Sequence, residues 1–145
     1  MSKLKMDDAL KRFALGFLRY SLGLIFLWFG LLKVFGISPA EELVSKTTHW
    51  TGVHNLTIFL GFWESILGLC FFFRRLLVIA GVLFLLHIPG TFLPLFLNPE
   101  DCFTHIPYGL TLEGQYIVKN FILIGSVAVL FVFREYLQSD TDPKN

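Results

Sequence analysis

Residues 13–36 read FALGFLRYSLGLIFLWFGLLKVFG, and the reading of this stretch decides the class of the protein. It is long enough to cross a hydrocarbon core, which takes roughly 20 helical residues at about 1.5 Å each. It is too long for the apolar region of a signal peptide, and no small-residue cleavage site follows it, so the span is expected to be retained. Yet it contains Arg19 and Lys33. Two cations inside a lipid-grade segment need partners.

The rest of the chain has the same character. Of 145 residues, 54% are hydrophobic and 17% aromatic, and the mean hydropathy is +0.66, outside the usual range of a soluble domain of this length. Three further segments, about 55–73, 76–97 and 115–134, have the length and apolarity of membrane spans. The expected fold is therefore an all-α membrane protein. It forms a four-transmembrane-helix antiparallel bundle in a single integral membrane domain over 1–145, with a disordered tail over about 138–145. A formal net charge of +1 gives no basis for nucleic-acid binding.

Charge position is more informative than net charge. Lys3, Lys5, Lys11 and Arg12 precede the first span, Arg74 and Arg75 join the second to the third, and Arg134 closes the fourth. The two remaining loops contain only Lys46. The positive-inside rule places both termini and the Arg74-Arg75 turn in the cytoplasm, which makes this a multi-pass protein of the cytoplasmic (inner) membrane with the bilayer as its solvent.

The outer connections are unequal. In SPAEEL, Ser38 is placed to cap, Pro39 suits the first helical position and Glu41 completes a capping box, so a short amphipathic helix is expected at the outer interface between the first and second spans. In HIPGTFLPLFLNPE, Pro89 and Pro94 fall inside an apolar span and should kink or break the third helix, with Thr91 able to satisfy the freed backbone.

Each span has one polar stripe. Gly16, Gly23 and Gly30 recur every seven residues beside Arg19 and Lys33; Gly61 and Gly68 flank Glu64 and Ser65; His87 lies one turn before Thr91; Tyr116, Lys119 and Asn120 share a face. Facing lipid, each ionised group would cost about 2.5 to 3.5 kcal/mol at a helix centre, so the stripes should face one another. Counting residues puts Glu64 and His87 near the midplane, Lys119 and Asn120 about 8 Å outward, and Arg19 about 8 Å toward the cytoplasm. The expected hub is Glu64, in a structural ion pair with Arg19 from below and approached by Lys119 from above, with His87 as a proton-relay partner. Arg19, Lys33 and Lys119 outnumber that single carboxylate, so the outer half should attract an anionic or electron-rich molecule. The expected ligand-binding residues are Lys33, Gln115, Tyr116, Lys119 and Asn120.

One intramembrane histidine excludes bis-histidine haem ligation, and one histidine with one glutamate is a poor metal site. Cys70 and Cys102 belong to opposite sides of the membrane, so no disulfide between them is expected.

The residues FGLLKVFGISPAEELV, GFWESILGL, PGTFLPLFLNPE and TLEGQYIVKN, in this order and spacing, resemble the DoxX-like family of small four-helix bacterial membrane proteins. The resemblance covers about Arg19 to Asn120. It implies a four-helix membrane fold and a place beside membrane oxidoreductases, since some relatives belong to a thiosulfate:quinone oxidoreductase and others accompany thiol-redox partners. It maps the family's basic residue in helix one, lysine at its outer end, glutamate in helix two and polar head of helix four onto Arg19, Lys33, Glu64 and the Gln115, Lys119, Asn120 group. Any cofactor would then be a quinone or belong to a redox partner protein. The expected function is a redox-associated subunit whose outer-half polar cavity binds a quinone-like or small anionic molecule. The alternatives are a small-solute permease or channel, which four short helices accommodate only as a homo-oligomer, and a non-catalytic membrane anchor or assembly factor.

Overall fold

The computed structural model describes residues 3–49 and 55–138. The chain is mostly helical: α1 (Lys3–Val34), α2 (Glu41–Thr48), α3 (Leu56–Phe72), a 3-10 turn (Arg74–Leu76), α4 (Leu77–Phe92), α5 (Pro94–Leu97) and α6 (Pro99–Cys102), then strands β1 (Phe103–His105) and β2 (Gly109–Leu110), and finally α7 (Leu112–Val118), α8 (Asn120–Val132) and α9 (Arg134–Gln138). Three helical stretches are long and apolar enough to cross a membrane, Asp7–Val34, Arg74–Leu97 and Leu112–Val132, as an all-α membrane protein requires. The helix α3, at 17 residues, is apolar but shorter. The expected tail lies outside the described residues beyond Gln138, where α9 ends.

The long helices run antiparallel, so the molecule has two different ends. The capped end has α2, α5, α6 and the hairpin β1–β2. The terminal end has the start of α1, the Arg74–Leu76 turn and α9, joined where Lys11 lies 5.5 Å from the Tyr136 ring and Arg74 donates to the Leu137 carbonyl at 3.0 Å. Large apolar side chains cover the outside of the bundle: Trp28 is 61% exposed, Leu86 67% and Ile122 69%. A surface of this kind is wetted by lipid rather than water.

The most extensive helix contact is between α1 and α3, and its glycines explain it. A Cβ at Gly68 would run into the backbone of Leu27 and the Gly23 carbonyl, and one at Gly61 would meet the Gly30 carbonyl at 2.8 Å. The two backbones therefore approach as closely as small residues allow. Gly16 has no heavy atom within 4 Å of its missing Cβ and takes no part in this approach. The core fills the terminal half with Leu22 and Phe26 of α1, Leu67 and Phe71 of α3, Ala80 and Phe84 of α4, and Leu130 of α8.

One connection differs from expectation and one matches it. No capping box forms: Ser38 Oγ accepts from the Ala40 amide at 3.3 Å, and α2 begins only at Glu41 without a side-chain cap. Ser38 is spent on this local turn, too early in the chain to reach the first helical amides. The third span is interrupted within its proline-containing stretch, as expected, at Pro94 rather than at Pro89. It continues to Phe92 and is interrupted for one residue at Leu93, before Pro94, while Thr91 Oγ1 donates to the Ile88 carbonyl at 2.7 Å and steadies the turn around Pro89.

At the capped end, α2 is tied to the residues after α5. Thr47 Oγ1 donates to Asn98 Oδ1 at 3.1 Å, and Lys46 lies 3.3 Å from Asp101. The hydroxyl of Thr111 accepts from the Gly114 amide at 3.1 Å and so caps α7, with Glu113 in the positive first turn. A side chain at Gly114 would strike the Cys102 carbonyl. Replacing Gly68 with Ala is expected to cost about 1 to 3 kcal/mol, against a negligible change for Gly16→Ala, measured as denaturation midpoints in the same detergent.

Candidate functional site

One carboxylate organises the polar interior. Glu64 of α3 is 7% exposed and accepts on one oxygen from Lys33 Nζ of α1, while His87 Nε2 of α4 lies 3.2 Å from its other oxygen. Lys33 and His87 are each 9% exposed. Three helices thus each contribute one ionisable side chain to a shared buried cluster.

Helix geometry explains why these three meet. Cα–Cβ bonds tilt toward the N-terminus of their own helix, and long side chains follow. Lys33 therefore leans from the end of α1 toward the bundle centre. Glu64, on the antiparallel α3, leans toward the capped end to meet it. His87 on α4 leans toward the terminal end and closes on the second carboxylate oxygen. Close backbone approach at Gly61, whose missing Cβ would lie 2.8 Å from the Lys33 Cβ, brings the lysine stem onto α3.

The same tilt overturns the expected pair between Arg19 and Glu64. Arg19 leans away from Glu64, toward the terminal end, where its Nη1 donates to the carbonyls of Phe71 at 2.9 Å and Phe72 at 2.8 Å. These are last-turn carbonyls of α3, which have no intrahelical donor and carry the negative end of the helix dipole. Arg19 is 2% exposed, and its guanidinium also lies 4.4 Å from the centre of the Tyr20 ring. It is a helix cap built from another helix. The carboxylate was not the only acceptor within reach.

Lys119 does not approach Glu64 either. It is exposed and folds back toward the capped end, with its ammonium 4.9 Å from the Tyr116 ring centre. Gln115 and Tyr116 are exposed on the same short helix. Only Asn120 of this group turns inward, donating from Nδ2 to Thr91 Oγ1 at 3.0 Å. The expected ligand set is therefore split: Lys33 joins Glu64 and His87, Asn120 joins Thr91, and the other three line the outside of α7.

This split decides whether a quinone ring fits between Glu64, His87 and Lys119. It does not, because the first two are turned toward each other and Lys33, and Lys119 faces outward. Two grooves lie elsewhere, one of about 670 Å³ between α2 and the start of α3 and one of about 110 Å³ between α2, Asp101 and Glu113. Among the described residues, no group of three or more metal-ligating side chains forms.

Sequence reasoning missed Phe26. Its ring packs edge-on to His87 at 6.1 Å and to Phe84 at 5.9 Å, and stacks on Phe71 at 6.2 Å. The available signal was heptad spacing, since Phe26 stands midway between Arg19 and Lys33 on one face of α1.

Both cysteines are free and buried. Burial pushes the Cys102 thiol above its ordinary range, and the carboxylates of Asp101, Glu113 and Glu100 push the same way. No family model, curated protein or solved structure matches the chain.

Two outcomes are expected. Removing one member of the cluster by Lys33→Met leaves Glu64 buried without its cation and should cost about 3 to 5 kcal/mol. The double variant Lys33→Met with Glu64→Gln should regain much of that loss in the same unfolding assay. For Cys102 the folded protein holds its proton above the unfolded pKa, so this contribution to stability is present below the unfolded value and lost as pH rises through the folded one. Iodoacetamide at pH 8.5 should modify Cys102 at least about tenfold more slowly in the native protein than in the unfolded chain.

Proposed function

We propose that the chain is a four-span inner-membrane protein of DoxX-like type, and that it serves as a proton-handling subunit of a membrane redox assembly. The spans are α1, α3, α4 with α5, and α7 with α8. Both termini and the Arg74-Arg75 turn face the cytoplasm, which makes the capped end the outer one. Three observations support this topology: the placement of Arg and Lys along the chain, the apolar exterior and the antiparallel order of the helices. At 17 residues α3 is long enough to cross only a slightly thinned core, a modest cost when it packs along its length on α1.

The observation that carries the functional reading is the buried contact of Glu64 with both Lys33 and His87. Ionisable residues inside a membrane are costly and mark proton or substrate routes. Histidine changes charge nearest to physiological pH, glutamate exchanges a proton with it across one hydrogen-bond length, and Lys33 supplies the counterion that keeps the carboxylate tolerable in the apolar interior. The chain's contribution is to hold and pass protons. The electron carrier belongs to the partner protein that the resemblance implies.

A second reading, a membrane anchor or assembly subunit in which the cluster only fixes helix register, is favoured by the fact that both Glu64 oxygens are engaged by side chains of two other helices. The double variant Lys33→Met with Glu64→Gln separates the two readings, because it abolishes proton exchange at the cluster without leaving a buried charge unpaired. In the partner complex isolated from native membranes, it should leave assembly intact and lower electron-transfer turnover on the order of 100-fold. Turnover unchanged with assembly intact would establish the anchor reading instead.

A further inference from the structure

We infer that Glu64 and His87 exchange protons with one side of the membrane only, that of the capped end, through Thr91 and Asn120. The inference rests on the proton-handling reading and adds to it the direction of access and two further residues.

The two halves of the bundle differ in what lies next to the pair. Toward the terminal end, the first layer is aromatic: Phe26 against His87, with Phe71 and Phe84 against Phe26. Phe71, Leu67, Ala80 and Leu130 are 0% exposed and Phe84 is 1% exposed. None of these side chains has a hydrogen-bonding atom. A proton moves along donors and acceptors, so this layer is a barrier rather than a path. The next polar side chain on the Lys33 face of α1 in that direction is Arg19, whose Nη1 is committed to the Phe71 and Phe72 carbonyls.

Toward the capped end the surroundings are polar. Thr91 lies one helical turn beyond His87 on α4, on the same face. Its hydroxyl accepts from Asn120 and donates to the Ile88 carbonyl, so it already belongs to a hydrogen-bonded chain. Asn120 and Thr91 are both half-buried.

Among the described residues, the charged group in contact with the pair is Lys33 from α1. The titratable groups next to Asn120 along the chain, Glu113, Tyr116 and Lys119, are exposed and belong to the route's mouth, while Lys46 of α2 is paired with Glu42 and Asp101. Thr91 and Asn120 are positioning residues: neither titrates, and both act by holding a hydrogen-bonded path between His87 and the outer face.

The test uses the full chain in sealed phosphatidylcholine–phosphatidylglycerol vesicles, sorted to one orientation by a C-terminal tag, with pH set independently on the two sides. Dicyclohexylcarbodiimide, which attacks protonated carboxyls in apolar surroundings, reports the state of Glu64 by mass spectrometry of its peptide. Labelling is expected to rise as the pH on the capped side falls and to stay within twofold when only the terminal side changes. The Thr91→Val, Asn120→Leu variant should respond to a pH jump on the capped side at least tenfold more slowly. Phe26→Ala, which opens the aromatic layer, should make labelling respond to both sides. Labelling that follows the terminal side, or both sides equally in the wild type, overturns the inference while leaving proton handling standing, and this outcome needs neither variant to fold. Labelling independent of pH on either side overturns the proton-handling reading itself.

Discussion

A carboxylate in the middle of a helical bundle has to be met by donors, and in this protein the rest of the interior is arranged around that requirement. Glu64 has two oxygens and they are engaged by two different helices, Lys33 from α1 and His87 from α4. Breaking the contact with Lys33 leaves a charge without solvent or counterion, which is far more costly than losing a surface ion pair. The register of α1 against α3 and of α4 against α3 is thereby tied to one side chain. The glycines at Gly30, Gly61 and Gly68 allow the close approach, and the Lys33–Glu64 contact selects one register from those the glycines permit.

Which cation reaches the carboxylate is a matter of direction rather than distance. Arg19 and Lys33 stand on the same face of α1, fourteen residues apart on either side of Phe26. Both lean toward the helix N-terminus, so Lys33 moves toward Glu64 and Arg19 moves away from it. Lys119, on a helix running the other way, leans out toward Tyr116. Arg19 then finds the unpaired carbonyls that end α3, so the two cations of α1 hold the same neighbour at its middle and at its end.

Much of this was legible in the chain before any coordinates. Apolar length marked α1, α4 and α8, the glycine spacing marked the α1–α3 contact, and the helical positions of Glu64, His87 and Lys33 marked an inward polar stripe. Depth counting misassigned the partners because it located Cα atoms and ignored the tilt of side chains of about 6 Å reach. The expected inward turn of Lys119 failed for the same reason. The structure after Leu97, with α6 and the hairpin β1–β2, has only short elements whose pairing depends on contacts with α2 and α7, and no periodicity over so few residues announces it. The capping box failed because the hydroxyl of Ser38 had a nearer amide in Ala40.

The division between an aromatic half and a polar half gives the bundle a direction that an antiparallel arrangement of helices does not by itself possess. All of it depends on Lys33, not Arg19, being the partner of Glu64. Solid-state NMR of the protein in lipid bilayers, with ¹⁵N at lysine Nζ and arginine nitrogens and ¹³C at glutamate Cδ, measures that partnership directly. The account predicts a strong dipolar coupling between Lys33 Nζ and Glu64 Cδ and none between Glu64 and the Arg19 guanidinium. A coupling to Arg19 with Lys33 uncoupled would contradict it.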